Sequence, residues 1–414
     1  RFLIASAAVG GLAWSCKYTT VLFPPMFAVV WWVDRWWKGE RRPVGLTIRV
    51  ALGMLGFVAV MALANLIVTG FAMAPLSPNQ GEHLRLNGRV PDWLAPIVAK
   101  GLEVPVPREL AGFATQMQLQ GSGGTSYLFG QRRDHGWWYY YLVTLAVKVP
   151  LTFWLLVVGR LALGRRVKSS GSDAIIPLVI VLFLALASIG STRNLGLRYL
   201  LPIAPLAIVW VSALAEVRSF WKTLVVLGLV GYAVAVATIH PHELAYFNTL
   251  AGGPSGGKHI LADSNLDWGQ GAKSIARLQA RRPEFQDLTF YYFGETDPAH
   301  YGVKGRVYPI NAVSLPPDFP PTLTAETAYL AVSASLQYGP WGPAGYFQGL
   351  DAIRPVFVLD DQTVAVYRVA DVHSEVKRKN MSVSKGRDRE TADPPESQPS
   401  RRSDAPRRRR PDRR

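Results

Sequence analysis

The chain has 414 residues, 49% of them hydrophobic and only 18% charged, where a soluble protein of this length carries roughly a quarter charged residues. Its 45 Lys and Arg against 29 Asp and Glu leave a net charge of +16, a balance that suits nucleic acid, a membrane surface or anionic lipid phosphates. A single cysteine, Cys16, excludes an intrachain disulfide framework and any cysteine-built zinc site.

The sequence opens on Arg1 and enters an apolar run at once, so it reads as a piece of a longer protein with its N-terminal part missing and no signal peptide to interpret. A transmembrane helix needs about 20 mostly apolar residues. In chain order the candidates are 2–15 and 18–33, meeting near Lys17, then 48–70, 137–160, 174–190, 199–215 and 223–240. These runs exceed ordinary core helices and argue against a large soluble enzyme. If about seven spans alternate, the basic stretches 34–42, 164–168 and 216–222 share one side, which the positive-inside rule makes cytoplasmic. The loops 71–136 and 189–198, and everything beyond Ile239, then face outward. Trp31, Trp32, Trp36, Trp37, Trp137, Trp138 and Tyr139 to Tyr141 sit at span ends, as interfacial aromatics do.

Residues 241–370 differ in kind. Short β-branched and aromatic runs at 288–294, 328–334, 355–360 and 363–369 are bounded by Gly, Pro and Asp and predict strands. The stretch 271–282 has the period of an amphipathic helix, with Ile275 and Leu278 on one face. From Asp371 onward, 14 Lys and Arg accompany 8 acids with almost no large apolar residue, which predicts disorder. The expected fold is therefore mainly α: a polytopic transmembrane helix bundle (1–240) with a long external loop (71–136), an extracytoplasmic α/β domain (241–370), and a disordered basic tail (371–414). The expected location is the plasma (inner) membrane, crossed several times.

Among residues able to carry chemistry, those of 191–205 (STRNLGLRYLLPIAP) are the most informative. Arg193 and Arg198 stand at the mouth of a span, with Tyr199 opening the next, and ionisable residues at that depth are functional candidates. An arginine fork suits phosphate because guanidinium donates paired hydrogen bonds and keeps its charge. The alternative is that both snorkel to lipid headgroups. Lys17 admits the same two readings. Lys148 lies deeper in a span and needs a partner or a water-filled cavity.

In 71–136 the titratable residues include Glu82, His83, Asp92, Asp134 and His135, with no metal-ligand spacing among them. The stretch GSGG (121–124) lacks the Lys-Ser/Thr of a phosphate-binding loop, so no nucleotide site is expected. In LADSNLDWGQGAKSI (261–275), Asp267 and Gln270 form a capping pair for a helix starting near 268, with Asp263, Ser264 and Asn265 as alternative caps. Caps do not account for Trp268, which could stack on a sugar or pack toward the membrane.

Four blocks carry a resemblance. GLAWSCKYTTVLFPP, GWWYYYLVTLAVKVPL, NLGLRYLLPIAPL and YFNTLAGGPSGGKHILADSNLDWGQ are similar, in this order, to segments of GT-C type integral-membrane glycosyltransferases of the family-39-like group. The resemblance implies transfer of a sugar from a polyprenyl-phosphate carrier to an acceptor glycan, lipid or protein at the outer face. It makes Arg193, Arg198 and Lys17 candidates for gripping the lipid phosphate, where cations stabilise charge developing on the leaving group. Lys148, Tyr199, Glu82, His83, Asp263, Asp267 and Trp268 are candidates for the substrate side.

The family's catalytic base is an acid in the first outer loop, which falls upstream of Arg1, so no residue here takes that role. The ligands of any divalent metal would lie there too, and no cofactor is identified in this sequence. The resemblance implies that this chain alone is inactive. The alternative is a non-enzymatic accessory or carrier of lipid-linked sugar with the same fold. Only the basic tail points toward nucleic acid, and none is expected as a partner.

Overall fold

The computed structural model describes residues 2–17, 20, 23–40, 43–76, 91, 94–121, 123–164, 175–190, 192–217, 220–309, 328–341, 346–375 and 378. Glu82, His83, Asp92 and nearly all of the basic tail lie outside the described residues. The chain is mainly helical. In order, the first helices are α1 (Phe2–Cys16), α2 (Phe23–Trp37), α3 (Pro43–Val68), α4 (Ala95–Leu102) and α5 (Arg108–Gly121). They are followed by α6 (Tyr140–Lys148), α7 (Leu151–Leu163), α8 (Ile175–Gly190), α9 (Ala204–Ser212) and α10 (Phe220–Ile239).

Two described helices are long and apolar enough to cross a membrane, Val44–Val68 and Phe220–Ile239. Their side chains lie largely bare on the outside: Leu52, Leu55, Leu63 and Ile67 on α3, and Val226, Leu227 and Leu229 on α10, are exposed. Apolar surface of that extent on a helix suits a lipid solvent better than water. The expected span 137–160 is instead two helices, α6 and α7, bent by 108°. The cause is local. Val149 is extended (φ −92°, ψ 135°) because Pro150 crowds the residue before it, and Pro150 has no N–H to continue the ladder. The expected span 199–215 is likewise interrupted, as two 3₁₀ turns (Leu197–Tyr199 and Leu201–Ile203) precede α9.

Small residues set how the helices meet. Gly10 faces Phe57 and Met61, and the Asn65 amide donates to the Ser15 hydroxyl at 2.8 Å, so α1 and α3 run parallel. Trp31 packs on Gly53 and Trp32 Nε1 donates to Thr47 Oγ1 at 3.3 Å, so α2 runs against them. On the other side, Thr152, Leu156 and Gly159 of α7 meet Gly231, Gly228 and Trp221 of α10, an antiparallel pair. Lipid tails offer no hydrophobic incentive for helices to associate, so close approach at glycine is what holds such pairs.

Residues 71–136 carry structure of their own. β1 (Met73–Pro75) pairs antiparallel with β2 (Pro105–Pro107), and β3 (Ser126–Leu128) pairs antiparallel with β4 (Gln131–Arg133). Beyond a five-residue helix α11 (Gly253–Gly257), helix α12 (Gly271–Arg281) leads into a five-stranded sheet. Its strands are β5 (Leu288–Tyr292), β6 (Arg306–Pro309), β7 (Tyr329–Ser333), β8 (Phe357–Val358) and β9 (Val364–Arg368), in the order β6-β5-β7-β9-β8. β6, β5 and β7 are parallel, while β9 and β8 join antiparallel. Alternate residues go to opposite faces. Phe290, Tyr292, Ala331, Val364 and Val366 pack with Ala272, Ile275 and Leu278 of α12. Tyr291, Leu330, Val332, Ala365 and Tyr367 form a second core on the far face.

Two expectations are corrected here. Residues 369–375 are helical and Val372 is buried in the second core, so order extends past the predicted start of the tail. The spacing of Val369 and Val372 puts both on one helix face. Trp137, Tyr140 and Tyr141 are buried at 4%, 2% and 2% exposure rather than lying at an interface, whereas Trp138 is exposed. They pack with Leu200, Phe247 and Leu266 because the chain beyond residue 240 folds back over α6.

Candidate functional site

The turn after α8 is held from two sides. Gly136 N donates to Thr192 O at 2.9 Å, Trp137 N donates to Asn194 Oδ1 at 2.6 Å, and Asn194 N donates to Ser126 Oγ at 3.0 Å. From the opposite side Leu197 N donates to Asn265 Oδ1 at 3.0 Å, and the Ser264 hydroxyl donates to Leu195 O in a short bond. Gly196 makes this approach feasible. Its φ of +94° suits glycine, and a Cβ there would come within 2.6 Å of Ser264 Oγ.

Asn265 in turn donates from Nδ2 to the Tyr140 hydroxyl at 2.8 Å. Lys148 Nζ donates to Asn265 O at 2.6 Å and to Leu244 O at 2.7 Å, and lies 4.3 Å from the Phe247 ring centroid. The partner that Lys148 needs is thus a pair of backbone carbonyls, and its amino group is spent on tethering. Lys17 Nζ closes the set by donating to Arg198 O at 2.7 Å. The four blocks singled out in the sequence therefore meet around one turn.

At that meeting point lies a cationic and aromatic cluster. The Arg198 guanidinium carbon is 4.7 Å from the Trp268 ring centroid and 5.3 Å from that of Tyr199. Lys17 Nζ is 5.6 Å from the same Tyr199 ring. Burial, and then the neighbouring Arg198 charge, lower the pKa of Lys17. Among the described residues no ion pair involves Lys17 or Arg198, and Arg198 Nε is buried without a hydrogen-bond partner. Two like charges brought together over aromatic rings, with a donor left unspent, form an anion-binding arrangement.

The two arginines have different surroundings. Arg193 lies 5.9 Å from the Trp341 ring centroid and packs on Gly124. The Trp341 indole N–H donates to Asp263 Oδ1 at 2.8 Å. Arg198 has Trp268 and Tyr199, and Arg193 has Trp341, so the fork expected from the sequence has separate aromatic supports.

The expected cap is also corrected. Helix α12 begins at Gly271 behind Gln270, and Asp267 does not cap it: Oδ1 accepts from Gly269 N at 2.8 Å in a tight turn. Gln270 folds back, accepting from Trp268 N at 2.6 Å and donating to Leu266 O at 2.8 Å. Asp267 is buried, and burial above all, with the charges of Asp361 and Asp263, raises its pKa well above the ordinary value. Asp263 is buried too, with a φ of +58° that few non-glycine residues adopt.

Beside Trp268 opens a cavity of about 420 Å³, also lined by His242, Glu243, Gln270, Tyr292 and Tyr301. Among the described residues no three His, Cys, Asp or Glu side chains come together as a metal site. The sequence offers Ser264 and Asn265 only as alternative helix caps and Tyr140 only as an interfacial aromatic, and it does not single out Asn194, whereas in the structure all four hold the turn. Their signal was polarity without helix or strand period, easily taken for loop.

No protein-family model matches this chain, and no curated protein or solved structure is similar to it. What the chain presents is a mainly helical protein in which, among the described residues, two helices, or three if the bent pair α6–α7 is one span, are long and apolar enough to cross a membrane.

Proposed function

We propose that this chain is part of an integral-membrane glycosyltransferase of the GT-C type that takes a sugar from a polyprenyl-phosphate donor to an acceptor at the outer face of the plasma (inner) membrane. On this reading α2, the bent pair α6–α7 and the three shorter apolar helices Phe2–Cys16, Ile175–Ile189 and Leu201–Glu216 join the two long ones to make about seven spans. Residues 71–136 and the α/β domain of 241–370 then face outward. The observation that carries the reading is the unpaired cationic cluster: Arg198 and Lys17 lie over Tyr199 and Trp268 with no carboxylate partner among the described residues. A departing polyprenyl phosphate is the anion such a cluster would stabilise. The reading assigns no catalytic base among these residues.

The test is a binding comparison on the purified chain in detergent. A polyprenyl phosphate should bind in preference to the neutral polyprenol of equal length, and Arg198→Ala should remove that preference. Equal binding of the two lipids, or an unchanged preference in the variant, overturns the reading. A second reading, a non-catalytic carrier of lipid-linked sugar, is favoured by one observation: the two buried acids near the turn are engaged within the fold, Asp263 accepting from Trp341 Nε1 and Asp267 from Gly269 N, both at 2.8 Å. Membrane glycolipids and glycoproteins weighed by mass spectrometry with and without the gene separate the two, since a pure carrier would not change the products formed by purified membranes supplied with donor.

A further inference from the structure

We propose that α6 does not cross the membrane but lies along it, about 10 Å inside the leaflet at the Ile239 end of α10, with Trp138, Leu142, Ala146 and Leu250 set against lipid acyl chains. The inference rests on the membrane setting proposed above and not on sugar transfer.

The angle and the lengths decide the placement. α6 and α7 meet at 108°. With α7 along the membrane normal, α6 is about 18° from the membrane plane, the excess of 108° over a right angle, and its nine residues climb only about 4 Å. α7 packs antiparallel on α10, with Thr152 against Gly231 and Leu156 against Gly228. The start of α7 at Leu151 therefore stands about 10 Å below the end of α10 at Ile239. Just past that end, His240 and Glu243 form an exposed pair at 2.6 Å, as a water-facing boundary allows. From the depth of Leu151 the 13 residues of α7 descend about 20 Å, and the two distances together match the hydrocarbon thickness of about 30 Å. A helix as short as α7 reaches the far side because it starts from a submerged α6.

The outward face of α6 suits acyl chains. Its polar groups are turned inward: the Tyr140 hydroxyl accepts from Asn265, Thr144 donates to Tyr140 O at 2.9 Å, and Lys148 is held by two carbonyls. Trp138 and Leu142, 68% and 47% exposed, and the exposed Ala146 follow at intervals of four, which puts them on one side. Leu250, 75% exposed, joins them from the segment that Asn248 fastens to the end of α6. No charge interrupts this face, and a tryptophan at its edge is what a lipid boundary favours.

The break between α6 and α7 is also sealed. Pro150 has no N–H, so Ala146 O loses its helical donor. Asn248 replaces it, donating from Nδ2 to Ala146 O at 2.6 Å and to Val149 O at 2.8 Å, while its backbone N–H donates to Val147 O at 2.9 Å. Trp154 Nε1 adds a bond to Leu145 O at 3.3 Å. In water these carbonyls would be solvated without help; in hydrocarbon each must find a donor within the protein.

The experiment is spin labelling of the full chain in phosphatidylcholine vesicles. Cys16, the single cysteine, is replaced by Ser. One cysteine is then placed in turn at the exposed positions Trp138, Leu142, Ala146 and Leu250, with Leu227 on α10 and Lys273 on α12 as lipid and solvent references. Labels at Leu142, Ala146 and Leu250 should collide with dissolved oxygen and exclude a water-soluble nickel chelate, as at Leu227. Depths at 138, 142 and 146 should agree to within about 4 Å, whereas a crossing helix would spread them by about 12 Å. Nickel access at Leu142 and Leu250 like that at Lys273, exclusion of both reagents by a covering protein or second copy, or the 12 Å gradient overturns the proposal. Nickel access at Leu227 would refute the membrane setting itself. Loss of the preference for polyprenyl phosphate would sink the reading of sugar transfer and leave α6 where it is placed here.

Discussion

Lys148 Nζ and the carbonyl oxygen of Asn265 are 2.6 Å apart across 117 residues of sequence. The bond joins a buried lysine at the end of an apolar helix to the segment that buttresses the arginine turn. Replacing Lys148 by Met keeps the length of the side chain and deletes the donor, leaving the carbonyls of Asn265 and Leu244 unpaired in a buried setting. The expected cost is about 2 kcal/mol or more, read as a lower melting temperature in detergent. An unchanged melting temperature would mean that the tether contributes nothing to stability.

Gly196→Ala should disturb the turn itself. The added methyl meets Ser264 Oγ and Asn265 Oδ1, at 2.6 and 3.0 Å, on a residue whose φ is +94°. A cost of about 1–3 kcal/mol is expected from the backbone conformation alone. Because Arg198 follows two residues later, the preference for polyprenyl phosphate over polyprenol should fall together with stability. Retention of full stability would show that the turn has room to relax.

The buried Asp267 makes stability depend on pH in a definite direction. Its folded-state pKa is raised above the ordinary carboxylate value of 3.8 by burial and by Asp361 and Asp263. As pH rises past that ordinary value, the unfolded chain loses its proton first, so the unfolded state is favoured and stability falls until the folded-state pKa is passed. Asp267→Asn should flatten this part of the profile and match or exceed the parent at neutral pH, because the amide oxygen can still accept from Gly269 N. Melting curves across about pH 4 to 8 measure it, and a parent profile that rises relative to the variant would refute the assignment.

Packing of α1 on α3 gives a contrast between two glycines. A side chain at Gly11 would run into the Met61 carbonyl and Ala64, while one at Gly56 meets nothing within 4 Å. Gly11→Leu should therefore cost about 1–3 kcal/mol through overpacking, and Gly56→Leu should be nearly neutral. Similar effects of the two would indicate that helix contact at Gly11 is not what holds the pair.

Much of this protein follows from local pattern. The unbroken apolar run of α3 and α10, the apolar face of α12 at Ile275 and Leu278, and the β-branched runs that became β5, β7 and β9 are properties of neighbouring residues, and neighbouring residues suffice to specify them. Strand β6 was not anticipated, since RVYP (306–309) is short and polar at one end and pairs only because β5 offers a parallel edge. The break at Val149–Pro150 was legible in principle, yet the hydropathy of 137–160 hid it.

The candidate site divides in the same way. Arg193, Arg198 and Lys17 stand out because charge at the edge of an apolar run is costly wherever the chain goes. That Arg198 stacks on Trp268, that Arg193 turns to Trp341, that Asp267 closes a tight turn instead of capping α12, and that Lys148 is consumed by two carbonyls were decided only by the tertiary structure. Apart from the Asp267 turn, which joins residues two apart, each of these contacts spans tens of residues or more, and a hydrogen bond or ring contact of that range leaves no periodic trace in the chain. The cationic and aromatic cluster therefore exists here only if α6, the turn at 193–199 and the segment at 263–268 pack as they do. Were Arg198 found drawn away from Trp268 into an ion pair with a carboxylate, the arrangement would lose the free positive charge on which its chemistry depends.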